Sequence, residues 1–212
     1  TEITFECNPD DLSEEKLREL KEIGINRLSI GLQSFNDDEL KWMNRAHNAH
    51  ESEASVLMAK ALGFDNITID LIYGSKFTSI ETWKNTLQKA IDLNVPHISS
   101  YNLTIEEKTK LGIGLHKGTE LPVDDEKSAE QFELMVEMLE ANGYEHYEIS
   151  NFAKPGFISK HNSNYWRGHK YIGLGTSAHS YNGISRQWNV ANNNLYVKGI
   201  SLNQNYFEVE TL

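Results

Sequence analysis

The feature that most constrains the fold of this chain is a helix-to-strand junction that occurs three times. Each copy places a glycine after a helix-like stretch, then an apolar residue, two polar residues and an apolar–polar–apolar alternation. A glycine just past a helix takes the left-handed conformation that ends the helix, and the following period of two is typical of a strand. The three junctions begin at Gly24, Gly63 and Gly143.

This alternation of helices and strands predicts an α/β fold. Strands are expected near residues 2–6, 27–33, 66–72 and 97–103, and such repetition builds a parallel sheet or barrel. After about Lys154 the helical periodicity disappears, and Asn182-Gly183 predicts a turn between short strands. We therefore expect residues 1–114 to form part of a TIM-like (β/α) barrel and residues 115–212 to form a smaller α+β region.

Two helix starts are predicted from capping boxes, in which a capping side chain precedes a carboxylate by three residues. Asn36 with Glu39 is expected to begin one short helix, and Thr78 with Glu81 a longer one.

Composition excludes several classes of protein. The 212 residues carry 20 basic and 31 acidic side chains, a net charge of −11, whereas nucleic-acid binding favours a basic stripe. The apolar runs are far shorter than the roughly 20 residues of a membrane span. Cys7 is the single cysteine, so no disulfide forms within the chain. We expect a soluble, cytoplasmic protein.

Polar side chains recur on one face of the predicted strands, near their carboxyl ends. The period of two places Glu6, Gln33 and Asp70 opposite the apolar face that packs on the helices. Parallel sheets bind ligands at these ends, so a polar site inside the barrel is predicted. The alternative is a partly open sheet whose polar face meets solvent.

Four segments in order carry a resemblance to a known family. They are Glu6-Cys7-Asn8-Pro9, Asn26 to Phe35, Arg45 and Asp70 to Gly74. In these segments the chain resembles the radical S-adenosylmethionine proteins of the oxygen-independent coproporphyrinogen III oxidase family. The segments Tyr147 to Ala153 and His161 to Trp166 are similar to its haem-chaperone branch. The resemblance implies a six-stranded barrel, of which four strands lie here.

The resemblance implies two ligands. The S-adenosylmethionine contacts of the family fall on Glu6, Gln33, Arg45 and Asp70, and carboxylate, amide and guanidinium groups suit that ligand. The second ligand is haem, because a histidine can bind iron and aromatic rings can flank the macrocycle. Candidate haem contacts are His161, Asn162, Tyr165 and Trp166, with His161 as the possible iron ligand; His179 is a second candidate. The alternative is a loop held by hydrogen bonds and aromatic packing.

The chain departs from the family in two places. The three-cysteine loop that holds a [4Fe–4S] cluster is absent, so we expect a fragment without turnover, the cluster belonging to the full-length parent. Gly74-Ser75-Lys76 stands where relatives usually have Gly-Leu-Pro, and a proline would have fixed that backbone.

Three functions follow as hypotheses. The first is a haem-binding chaperone that delivers haem to acceptor proteins. The alternative is an oxidase that converts coproporphyrinogen III to protoporphyrinogen IX. The third is a non-catalytic scaffold whose polar strand ends are only solvated.

Overall fold

A computed structural model describes all 212 residues. The chain forms two compact units, Thr1–Ile158 and Ser159–Leu212. The boundary predicted after residue 114 stays a prediction. No helix has both the length and the apolar character needed to cross a membrane.

The first unit is built on a six-stranded sheet with helices in the connections. In the order β1-β2-β3-β4-β6-β5, the first four strands are parallel, which confirms the predicted α/β class. The strands are β1 (Thr4–Cys7), β2 (Arg27–Gln33), β3 (Ile67–Tyr73), β4 (His97–Asn102), β5 (Glu145–Glu148) and β6 (Asn151–Ala153). The helices are α1 (Glu14–Glu22), α2 (Asp37–Trp42), α3 (Ala49–Ala61), α4 (Ile80–Asp92), α5 (Lys110–His116) and α6 (Asp125–Ala141), and a short 3-10 turn spans Pro9–Asp11.

The helix-to-strand junctions are as the sequence predicts. Gly24, Gly63 and Gly143 have φ angles of 95°, 80° and 80°, and a strand follows each of them. The junction before β4 uses Asn94, at φ 50°, in the same role. Asparagine is one of the few residues that tolerate this left-handed conformation.

The strand after Gly143 is separated from the other parallel strands. Strand β6 runs antiparallel between β4 and β5, so β5 keeps the direction of β1–β4 without pairing with them. The apolar residues on the helix-facing side of β2, β3 and β4 are buried with the helices in one core, and Phe5 of β1 is partly buried against it. Its fully buried members include Leu28, Ile30, Ile67, Ile69 and Ile98 from strands and Leu17, Trp83 and Leu87 from helices.

Both predicted capping boxes are wrong in detail. Helix α4 is capped by Ser79, which accepts from the Thr82 N–H, one residue later than predicted. Helix α2 is capped by Asn36 as predicted, but the Glu39 side chain does not return to the cap. The Thr78 hydroxyl instead donates to the Glu39 carboxylate, a tertiary contact that local spacing does not reveal.

The second unit contains a small antiparallel sheet and two helices. Strands β7 (His179–Tyr181), β8 (Ser185–Asn189) and β9 (Phe207–Thr211) pair in that order. Helix α7 (Lys160–Trp166) precedes them, and α8 (Asn193–Ser201) connects β8 to β9. The predicted turn at Asn182-Gly183 joins β7 to β8, and Gly183 has a φ of 98°.

The first junction offers a direct test of backbone strain. A Cβ at Gly24 would meet no atom within 4 Å, so Gly24→Ala adds left-handed strain without a steric clash. We expect the free energy of unfolding to fall by about 1–2 kcal/mol. Urea denaturation measures it, with Glu22→Ala in the last turn of α1 as the control, expected within about 0.5 kcal/mol of wild type. Equal stability of both variants would contradict the role given to the glycine.

Candidate functional site

The polar face of the parallel sheet brings two of the candidate residues together. Glu6 on β1 lies beside Ser29 on β2, which in turn lies beside Thr68 on β3. Asp70 follows Thr68 by two residues and therefore points to the same side of the sheet. The Ser29 hydroxyl donates to Asp70 at 3.4 Å, which links the two positions.

Asp70 lies in an environment that does not fully compensate its charge. Burial raises its pKa from 3.8 to about 6, and the nearby charge of Glu6 adds to the shift. Hydrogen bonds from Ser99 and Ser29 and the charge of Arg27 act in the opposite direction, each with a smaller effect than burial. Keeping this carboxylate charged in the folded protein costs free energy, and such raised pKa values are typical of functional sites.

Gln33 reaches the polar face by a route that simple alternation does not describe. The pairing of β2 with β3 shifts between Ile30 and Gln33, and Gln33 has a left-handed φ of 67°. Its amide lies over Gly31, where a Cβ would meet Gln33 Nε2 at 2.7 Å and Asn8 Oδ1 at 3.4 Å. Gly31 therefore provides the space that this side chain occupies.

Arg45 belongs to the segment that follows α2. Its N–H donates to the Leu40 carbonyl at 2.9 Å, and Asn44 before it turns the chain at a φ of 56°. Its half-buried side chain takes part in none of the four salt bridges. The buried His47 fixes the next residues, with Nε2 3.1 Å from the Leu32 carbonyl.

The amino-terminal part of the polar face carries a group of residues that the sequence analysis missed. Arg27 is 4% exposed, and its guanidinium donates to the hydroxyls of Thr4 and Thr68. His97 is completely buried and shares a 2.8 Å hydrogen bond with the Tyr147 hydroxyl. Burial, followed by the charge of Arg27, lowers the pKa of His97 to about 3, so its imidazole is neutral. Applying the period of two to β4 would have revealed His97.

The segment from Tyr147 to Ala153 closes the polar face beside β4. Tyr147 contacts His97 as described, and Glu148 accepts from the Ser150 N–H at 3.1 Å and from the Asn151 amide. Burial raises the pKa of Tyr101 on β4, and the carboxylates of Asp70, Glu148 and Glu6 add to the shift. Three carboxylates therefore act on one phenol at the polar face.

The polar face fits S-adenosylmethionine, but these residues do not fit an iron–sulfur cluster. Glu6 and Asp70 offer acceptors for an amino group and ribose hydroxyls, and Gly31 leaves room for the Gln33 amide. A [4Fe–4S] cluster requires several thiolates. Cys7 is the one cysteine of the chain, and burial raises its pKa to about 12, with contributions from nearby carboxylates.

The candidate haem residues lie on helix α7 of the second unit. His161 Nε2 and the Tyr165 hydroxyl form a 3.0 Å hydrogen bond, and their rings meet edge-on at 4.9 Å. Tyr165 is 50% and Trp166 65% exposed, whereas Asn162 is half-buried and donates its N–H to Ser159. Iron binding at Nε2 requires Tyr165 to give up this hydrogen bond. The structure thus brings His161 and Tyr165 together on one accessible helix.

His179, the second histidine candidate, has a different environment. It lies on β7, where its ring stacks on Trp188 with centroids 6.2 Å apart. The pair belongs to the sheet, not to helix α7.

The second unit also contains a large open cavity of about 890 Å³. Four tyrosines contribute to its lining, together with the charged Lys170 and several apolar and neutral polar residues. The tyrosines are Tyr171, Tyr181, Tyr196 and Tyr206. None of the four candidate haem residues of α7 lines this cavity.

The two units differ in charge. The second unit carries five basic and two acidic side chains, a formal charge of +3, whereas the first carries fifteen and twenty-nine, a charge of −14. The acidic character of the chain therefore resides entirely in the first unit.

Comparison with known proteins identifies similar chains. Residues 1–102 match the Radical SAM superfamily. The Heme chaperone HemW of Bacillus subtilis (strain 168) is 42% identical over 190 residues, which cover 90% of this chain and 50% of the relative. The Heme chaperone HemW of Escherichia coli (strain K12) is 40% identical over 178 residues, covering 84% and 46%. The chain spans about half the length of these curated relatives.

One solved structure shares the fold over nearly the whole chain. Coproporphyrinogen III oxidase (HemN) from Escherichia coli, a radical SAM enzyme, superposes with a TM-score of 0.81. The match covers 99% of this chain and 51% of that chain at 24% sequence identity. At this identity the likeness establishes the fold alone.

The environment of Asp70 predicts a pH-dependent gain in stability when its charge is removed. Because the folded protein holds the proton to about pH 6 and the unfolded chain releases it near 3.8, wild type loses stability as the pH rises between these values. The stability of Asp70→Asn relative to wild type should therefore increase by up to about 3 kcal/mol from pH 3.5 to pH 7. Urea denaturation at both pH values measures this change.

The control for this experiment is Asp65→Asn, which removes an exposed carboxylate just before β3. We expect its stability relative to wild type to change by less than about 0.5 kcal/mol over the same pH range. A difference between Asp70→Asn and wild type that does not vary with pH would refute the raised pKa.

Proposed function

Because this chain belongs to the radical SAM superfamily, we propose that it binds S-adenosylmethionine on the polar face of its parallel sheet and acts in haem handling as part of a haem chaperone. The observation that carries the first part is the convergence of Glu6 and Asp70, joined through Ser29, on one face. The second part follows from the relatives named haem chaperones, of which this chain spans about half.

S-adenosylmethionine suits the charge of the first unit. Its sulfonium and amino groups are cationic. Glu6 would supply negative charge and an acceptor for the amino group, and Asp70 would supply negative charge and acceptors for the ribose hydroxyls. The Arg45 guanidinium would pair with the carboxylate of the ligand, and Gln33 would add an amide contact. In this assignment the chain's own residues bind and orient the ligand.

Haem suits the second unit. Its propionates carry negative charge, and the unit carries +3. His161 supplies an imidazole for iron, while the exposed rings of Tyr165 and Trp166 flank a flat macrocycle, with Asn162 beside them. Delivery to acceptor proteins belongs to the same proposal.

The oxidase hypothesis rests on the shared fold of the solved structure. Its fold likeness does not distinguish decarboxylation from haem transfer, and no geometry of the polar face specifically favours a porphyrinogen substrate. It stays a prediction.

Binding of S-adenosylmethionine should depend on the ionisation of Asp70. Protonation removes an acceptor and a negative charge, so the affinity should fall as the pH drops through about 6. We expect calorimetry to give an affinity about tenfold lower at pH 5 than at pH 7.5 in wild type. Asp70→Asn should bind weakly at both pH values, and an unchanged pH dependence in this variant would contradict the assignment.

Haem binding should depend on His161. Titration with haem should produce a Soret shift in wild type that is lost in His161→Ala, because the iron loses its axial nitrogen. His169→Ala, which removes another exposed histidine of the second unit, is the control and should keep the shift. A shift that survives in His161→Ala but is lost in Tyr181→Ala would place haem in the cavity instead.

A further inference from the structure

One buried carboxylate joins three segments of the first unit. Glu39 on α2 is 3% exposed, and its carboxylate accepts hydrogen bonds from the hydroxyls of Ser34, Ser75 and Thr78, the second at 2.8 Å. These hydroxyls are also buried, at most 2% exposed. No basic side chain pairs with Glu39, so the three hydroxyl donors offset the cost of burying its carboxylate. We call these four residues the Glu39 cluster.

The loop after β3 is built around this cluster. The Ser75 oxygen accepts the backbone N–H groups of Phe77 and Thr78 at 3.1 and 3.2 Å. From α6, Gln131 accepts the Gly74 N–H at 2.9 Å and donates to the Thr78 carbonyl at 2.6 Å. Side-chain hydrogen bonds thus fix a loop whose backbone a proline could otherwise have restrained.

The cluster lies next to the segments that carry candidate ligand contacts. Ser34 directly follows Gln33, which has the left-handed backbone. Helix α2 leads to Arg45, whose N–H bonds to Leu40, the neighbour of Glu39. Asp70, by contrast, lies within β3 and is held by serines of the flanking strands.

From these contacts we infer that Glu39 is a positioning residue for the S-adenosylmethionine site, acting on its amino-acid end through Gln33 and Arg45. The inference rests on the proposed function. Without the carboxylate, three buried hydroxyls lose their common acceptor and the segments they hold can relax. Asp70 keeps its own partner Ser29, so the nucleoside end, which the proposed function assigns to Asp70, should be unaffected.

Glu39→Gln tests this inference with two ligands. S-adenosylmethionine carries the amino-acid end, and 5′-methylthioadenosine lacks it. We expect calorimetry to show an affinity for S-adenosylmethionine about tenfold weaker than wild type, because buried donors lose their charged acceptor. The affinity for 5′-methylthioadenosine should change less than twofold. Glu53→Gln, an exposed glutamate on α3, is the control and should leave both affinities unchanged.

Ser75→Ala provides a milder variant that keeps the carboxylate and removes one donor. It should weaken S-adenosylmethionine binding in the same direction, and its effect should be much smaller in a Glu39→Gln background, because both changes break one network. Hydrogen exchange should be faster in Glu39→Gln than in wild type at the backbone amides of residues 34–36 and 74–78.

The outcomes separate the two proposals. If wild type binds neither ligand, the proposed function fails, and the inference with it. If wild type binds both and Glu39→Gln binds S-adenosylmethionine equally well, only the inference is overturned. An equal loss for both ligands also overturns it, since that result describes general destabilisation and not the positioning of one end.

Discussion

The structure of the first unit depends on how a parallel sheet accommodates charge on one of its faces. The opposite face is largely apolar and packs on the helices, so the ionisable side chains of the strands lie on the polar face. Hydroxyls of the strands and the charge of Arg27 compensate Asp70 only in part, as its raised pKa records. A cationic ligand bound beside Asp70 would stabilise the charged carboxylate further and would therefore lower its pKa.

Periodicity predicted the features that depend on backbone geometry alone. The four parallel strands, the glycine junctions and the common face of Glu6 and Asp70 all follow from alternation and from the left-handed region. The position of Gln33 does not, because a register shift and a positive φ alter the alternation at the strand end. The insertion of β6 beside β4 is also a matter of tertiary pairing, for which the local sequence carries no signal.

The wrong capping boxes have one physical explanation. A cap contributes about 1 kcal/mol, whereas a buried carboxylate without donors costs more than that. Thr78 therefore donates its hydroxyl to Glu39, 39 positions earlier in the sequence, and Ser79 caps α4 in place of Thr78. The capping-box pattern identified Glu39 and Thr78 as residues with a structural role. It could not identify them as hydrogen-bond partners, because only the folded chain brings them together.

The distribution of charge separates the two proposed ligands. The formal charge of −14 on the first unit attracts a sulfonium cation and repels the carboxylates of a porphyrin. The formal charge of +3 on the second unit has the opposite effect on both ligands. A surface of one sign could not favour both, because it would repel one of the two ligands. Dividing opposite charges between two units of one chain would let each unit favour its own proposed ligand, and raising the salt concentration would then weaken both interactions.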